Sequence, residues 1–252
     1  MLSSCYSTVA RCRVRWLTLP GEGIPVVFIH GLGCAASYDY PRVVCDPHFR
    51  RRAAILIDLP GYGYSDKPWE YGYTIGEQAR VVNEVIRAIG LRDYFIYGHS
   101  MGGSIAIESV AEAAAGVRGL IVSEPNFHPG GGLFSQKIYA NSQHDYIASG
   151  HSAFVASEDS AWAGSLAVAA PWAVWRSAAS LIAGNAWLAI FLRMTRPSGL
   201  IFGEASLPDA DFSRLQSLGT ACITVAQCGH AMAWENPAGL AAALSAFCAR
   251  HE

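Results

Sequence analysis

Short apolar runs recur along this chain, each bounded by glycine, proline or a charged residue, and they alternate with stretches where apolar positions return every three or four residues. Residues 24–29, 53–57, 94–97, 120–122, 198–202 and 222–225 have strand length and offer no polar face. Between them, Ile75, Ala79, Val82, Ile86 and Ile89 carry the spacing of a helix over 74–89. Further helices are expected over 37–44, from 101 to about 115, and over 237–249, the last mostly alanine and leucine. Strands apolar on both sides and separated by helices predict an α/β fold. Its mostly parallel central sheet would be flanked by helices on both faces.

The rhythm breaks at residues 126–196. Pro125, Pro129 and the run Gly130-Gly131-Gly132 open this stretch, which then turns helical and holds Trp162, Trp172, Trp175 and Trp187. The expected organisation is a core domain of residues 1–125 and 197–252. Residues 126–196 form a helical cap inserted into it, not an independent domain, over the carboxyl ends of the strands where open α/β sheets bind ligands.

Bulk properties narrow the function. The chain has 252 residues, 52% of them hydrophobic and only 15% charged, which is enough for a large core. A net charge of −2 without any basic block leaves no electrostatic footprint for nucleic acid. The longest uncharged stretches, 160–175 and 177–192, are split by Arg176 and fall short of the ~20 residues of a membrane span. Seven cysteines are scattered without C-x-x-C spacing, and the amino terminus lacks the basic-then-apolar layout of a secretory signal. A cytoplasmic protein is expected. His128, His144 and His151 lack metal-ligand spacing and no Gly-rich phosphate fingerprint occurs, so neither metal nor cofactor is expected.

Chemistry concentrates at Gly98-His99-Ser100-Met101-Gly102, between an expected strand and an expected helix. A G-x-S-x-G in that context is a nucleophile elbow, which lifts a serine hydroxyl off the end of a sheet. Serine is a weak nucleophile and needs an oriented base. His230, directly after the last expected strand, is the candidate. For the acid, Glu124 closes an apolar strand just before Pro125 and is the favoured candidate; Asp209 is the alternative, with Glu204 and Asp211 also within range. An oxyanion needs two backbone donors, assigned to the Met101 amide and to the Leu32 amide in His30-Gly31-Leu32-Gly33. His30 is read as organising that loop, and Asp58–Asp66 as turns and caps. Phe127, Phe134, Trp162, Trp172, Trp175 and Trp187 are candidates for an apolar substrate pocket, although for any one of them holding the cap on the core is the favoured role.

With the 26–33 loop, 58–66, the 98–103 elbow and 229–237 together, the chain resembles the α/β-hydrolase superfamily. The resemblance implies a Ser-His-acid triad, a helical cap, no cofactor, and an eight-stranded mostly parallel sheet, here expected to be trimmed at its amino end. Serine at 100 stands where haloalkane dehalogenases and epoxide hydrolases carry aspartate. Ser206 occupies the place where many members carry the acid. The Glu124 position resembles a subset that includes dehalogenase relatives and the lactonase acting on zearalenone. The implied activity is hydrolysis of a carboxylic ester or lactone of a small, fairly apolar substrate. C–C bond, amide or perhydrolase chemistry can use the same triad, and a non-catalytic ligand-binding protein of this fold is the reading from another class.

Overall fold

The computed structural model describes residues 1–252, and its spine is one eight-stranded sheet. The strands are β1 (Leu2–Ser7), β2 (Cys12–Leu19), β3 (Glu22–Ile29), β4 (Arg52–Asp58), β5 (Tyr94–His99), β6 (Val117–Ser123), β7 (Ser198–Gly203) and β8 (Ala221–Val225). They lie in the order β1-β2-β4-β3-β5-β6-β7-β8. β1 and β2 run antiparallel to their neighbours, and every pairing from β4 to β8 is parallel.

The expected trimming at the amino end is corrected by this sheet, because β1 and β2 complete it. They are strands with one face on the core: Cys12, Val14 and Trp16 are buried, while Arg13 is exposed and Arg15 half-buried. This alternation of apolar and charged residues is the signature of an edge-proximal strand, unlike the wholly apolar inner runs.

The two faces of the sheet bury separate apolar clusters. Helices Ile75–Ile89 and Met101–Glu112 cover one, and helix Pro237–Arg250 covers the other. Thr74 starts the first helix with a capping box, its hydroxyl accepting from the Glu77 amide, and Gly90 ends it in a left-handed turn. The helix expected over 37–44 is two short ones, Ala36–Asp39 and Pro41–Val44, because Pro41 has no N–H to carry the ladder onward. The helix after the elbow stops at Glu112.

Between β6 and β7 the chain leaves the sheet for a run of short helices, among them Leu133–Tyr139, Trp162–Val168, Pro171–Ala183 and Trp187–Leu192. No single helix is long and apolar enough to cross a membrane; the pair with suitable composition, Trp162–Val168 and Pro171–Ala183, bends by 112° at its break.

Candidate active site

Ser100 sits between the end of β5 and helix Met101–Glu112 at φ 53°, a conformation L-residues rarely adopt. The tightness of the turn explains both flanking glycines. A Cβ on Gly98 would lie 2.2 Å from the Gly102 carbonyl oxygen, and one on Gly102 would lie 2.4 Å from that of Ile29. The Ser100 amide donates to the Ser123 carbonyl at 2.9 Å, which ties the elbow to the neighbouring strand.

β6 then delivers Glu124, itself at φ 39° immediately before Pro125. Its carboxylate is nearly buried and accepts two hydrogen bonds: Oε1 from the Gly203 amide at 3.0 Å, and Oε2 from His230 Nδ1 at 2.7 Å. Burial alone would push this carboxyl up, but the His230 hydrogen bond and charge, with the Gly203 amide, hold it below its ordinary value. His230 follows β8, and its side chain is 45% exposed. The other carboxylates weighed for this role are engaged elsewhere. Asp209 caps helix Ala210–Ser217 through the Phe212 amide at 2.7 Å, Asp211 meets His128 at 2.8 Å, and Glu204 accepts from the Gln227 amide at 3.0 Å.

Ser100, Glu124 and His230 open onto one cavity of about 920 Å³, together with Gly31 and Leu32 of the loop after β3. The Ser100 hydroxyl makes no hydrogen bond there. The Leu32 amide is likewise free of any protein acceptor. Met101, as the first residue of its helix, has an N–H without an intrahelical partner. The loop that carries Leu32 is braced from both sides. Trp162 of the insertion donates its indole N–H to the Leu32 carbonyl at 2.9 Å. Buried His30 accepts from the Leu59 amide at Nε2 (3.1 Å), so its Nδ1 carries the proton donated to the Gly31 carbonyl at 2.8 Å. Burial lowers the His30 pKa and keeps the ring neutral. Asp58 accepts from Ser37 and Tyr64, and Asp66 pairs with Arg15, so 58–66 is turn and cap structure.

Of the six aromatic pocket candidates, Phe134 and Trp162 line the cavity. The other four do not, and their positions correct the expectation. Phe127 packs on Phe191; Trp187 is buried with its N–H on Glu108; Trp172 packs on Trp69; and Trp175 donates to the Asn141 carbonyl. They fasten the inserted helices to one another and to the core.

Several residues at the site went unnoticed in the sequence. His99 lies against His230 with ring centroids 4.6 Å apart, and its Nδ1 meets the Ser123 hydroxyl at 2.9 Å, which in turn meets the Tyr97 hydroxyl at 2.7 Å. Burial first, then the neighbouring His230, push its pKa down to about 3, so His99 is neutral. The signal was available: Tyr97 and His99 alternate along β5 and share a face. Also lining the cavity, Trp234 donates to Asp39 Oδ1 at 2.8 Å while its ring meets Tyr38 and the Arg42 guanidinium.

A sequence model described as the alpha/beta hydrolase family matches residues 26–243. Haloalkane dehalogenase 2 of Mycobacterium bovis is 33% identical over 109 residues, 43% of this chain and 37% of that protein. The chain thus spans little more than a third of the length of the curated relatives it matches first. Among solved structures, a thermophilic esterase from Thermogutta terrifontis superposes with a TM-score of 0.84 at 16% identity, covering 100% of both chains. The N-acyl homoserine lactonase AidH complexed with N-butanoyl homoserine superposes with a TM-score of 0.76 at 20% identity, covering 98% of this chain and 96% of that one. At such identities the likeness concerns the fold.

Proposed function

This chain belongs to the α/β-hydrolase family, and we propose that it is a serine hydrolase cleaving a carboxylic ester or lactone of a small, fairly apolar substrate through an acyl-enzyme intermediate. The observation that carries this reading is the 2.7 Å Glu124–His230 pair, opening onto the same cavity as a serine raised on a strained elbow.

In this mechanism His230 takes the Ser100 proton as the hydroxyl attacks the substrate carbonyl. Glu124 holds His230 Nδ1 protonated, leaving Nε2 as the base, and balances the imidazolium that forms. The Leu32 and Met101 amides receive the oxyanion, Met101 with the help of the helix N-terminus. His230 then protonates the departing alkoxide and afterwards activates water, which releases the acid and restores Ser100. The insertion 126–196 acts as a cap whose Phe134 and Trp162 face the acyl or ring portion of the substrate. Seven free thiols fit a cytoplasmic setting. The esterase and the lactonase of similar fold support ester chemistry, and serine at 100 sets the chain apart from aspartate-dependent dehalogenation.

Fluorophosphonate labelling with peptide mapping tests the nucleophile, and short-chain p-nitrophenyl esters test turnover. Ser100→Ala is expected to abolish labelling. Ser100→Ala and His230→Ala are each expected to lower kcat by roughly four orders of magnitude or more, as members of a coupled triad do. An intact protein that neither labels at Ser100 nor turns over such esters is a ligand-binding protein instead.

A further inference from the structure

The charges around the cavity have one sign. Asp39, Glu158, Asp209 and Glu235 line it in addition to Glu124, and no lysine or arginine does. Glu124 is paired with His230, but none of the other four has a cationic partner. Their hydrogen bonds come from neutral donors: the Trp234 indole to Asp39, the Ser160 amide to Glu158, the Phe212 amide to Asp209 and the Gly229 amide to Glu235. Two cations approach rings of the lining without lining the cavity themselves, Arg42 at 3.2 Å from the Trp234 centroid and Lys137 at 5.9 Å from that of Phe134. The rest of the wall mixes apolar side chains, among them Leu133, Phe134, Trp162 and Phe202, with neutral polar ones such as Asn126 and Ser206. Asp39 is buried and Glu158 and Asp209 are half-buried, so solvent screens these three less than it would in open water, whereas Glu235 is exposed. With a net charge of only −2 on the whole chain, this sign bias belongs to the cavity rather than to the protein.

We infer that the cavity admits uncharged or cationic esters and lactones, rejects those that already bear a carboxylate, and expels its own acid product by charge. The inference rests on the serine-hydrolase reading and specifies its substrate class. Ester and water give an alcohol and a carboxylic acid; the acid loses its proton to solvent, and the carboxylate then faces carboxylates. A neutral lactone is bound where its hydrolysed, anionic form is not.

Three p-nitrophenyl esters of similar length separate the cases: the neutral butyrate, the anionic hemisuccinate and the cationic 4-(trimethylammonio)butanoate. In the intact protein, kcat/KM for the butyrate is expected to exceed that for the hemisuccinate at least tenfold, with the cationic ester no worse than the neutral one. Raising salt to 0.5 M should narrow the gap, since screening shortens the reach of the charges. The double variant Glu158→Gln, Asp209→Asn should narrow it too; both replacements keep an acceptor oxygen for their amide partners, so the fold is retained. Equal use of neutral and anionic esters, or a ratio unmoved in the double variant, overturns the inference. Should Ser100 not label and no ester be turned over, the serine-hydrolase reading fails, and charge selection is then judged by binding alone. Neutral N-phenyl-1-naphthylamine is expected to bind at least tenfold more tightly than its anionic analogue 1-anilinonaphthalene-8-sulfonate, and equal affinity refutes it.

Discussion

Glu124 carries an unfavourable backbone conformation and a nearly buried charge, two costs that a surface carboxylate would not bear. Both are offset by what its oxygens meet, the Gly203 amide and His230 Nδ1. Asp209 lines the same cavity but spends its oxygen on a helix N-terminus. The two carboxylates therefore make opposite predictions. Glu124→Gln keeps the shape but presents His230 with an amide in place of a charge, and is expected to lower kcat by about 10⁴, as loss of the orienting carboxylate does in such triads. Asp209→Asn, which still caps its helix, is expected to stay within a few-fold of the parent. Steady-state kinetics on a neutral ester distinguishes them, and the reverse ranking would move the acid to 209.

Two short helices, Ala36–Asp39 after the Leu32 loop and Met232–Glu235 after His230, are joined by the Asp39–Trp234 hydrogen bond, with Tyr38 and Arg42 on the same indole. Burial raises the Asp39 carboxyl from 3.8 to about 6, despite the Trp234 and Cys34 donors. The sign follows from that direction. Below 3.8 the group is protonated whether the chain is folded or not. Between 3.8 and about 6 the unfolded chain ionises first, so the native state loses stability as pH rises, and above about 6 the loss is complete. Asp39→Asn retains an acceptor for the indole and never ionises. Its melting temperature relative to the parent should therefore climb between pH 4 and 6 and level off above. Thermal denaturation across that range checks this, and a flat or falling difference would contradict it.

For the molecule as a whole, the amino-terminal strands matter more than their polar faces suggest. β2 covers the edge of β4 along Arg15–Leu19, and a chain lacking residues 1–19 would expose that edge and the face beneath Trp16. Such a truncation is expected to aggregate, seen in size-exclusion chromatography as a shift of the parent's elution peak to the void volume; elution as a single well-resolved species would show that β3 to β8 suffice. Much of this architecture was legible because the inner strands are apolar on both faces and the helices between them keep one stripe, patterns that survive without knowledge of any partner. The elbow was legible too, since Gly98 and Gly102 answer to steric contacts set by a local turn. β1 and β2 were less visible, their alternation needing a neighbour to give it meaning. The meeting of Glu124 with His230, 106 residues apart, the packing of His99 against the His230 imidazole, and the choice of Phe134 and Trp162 over four other aromatics were decided only in three dimensions. Local sequence dictates which way a chain turns and what it must bury. Which side chains share a cavity depends on crossings between distant elements, and those are settled by packing alone.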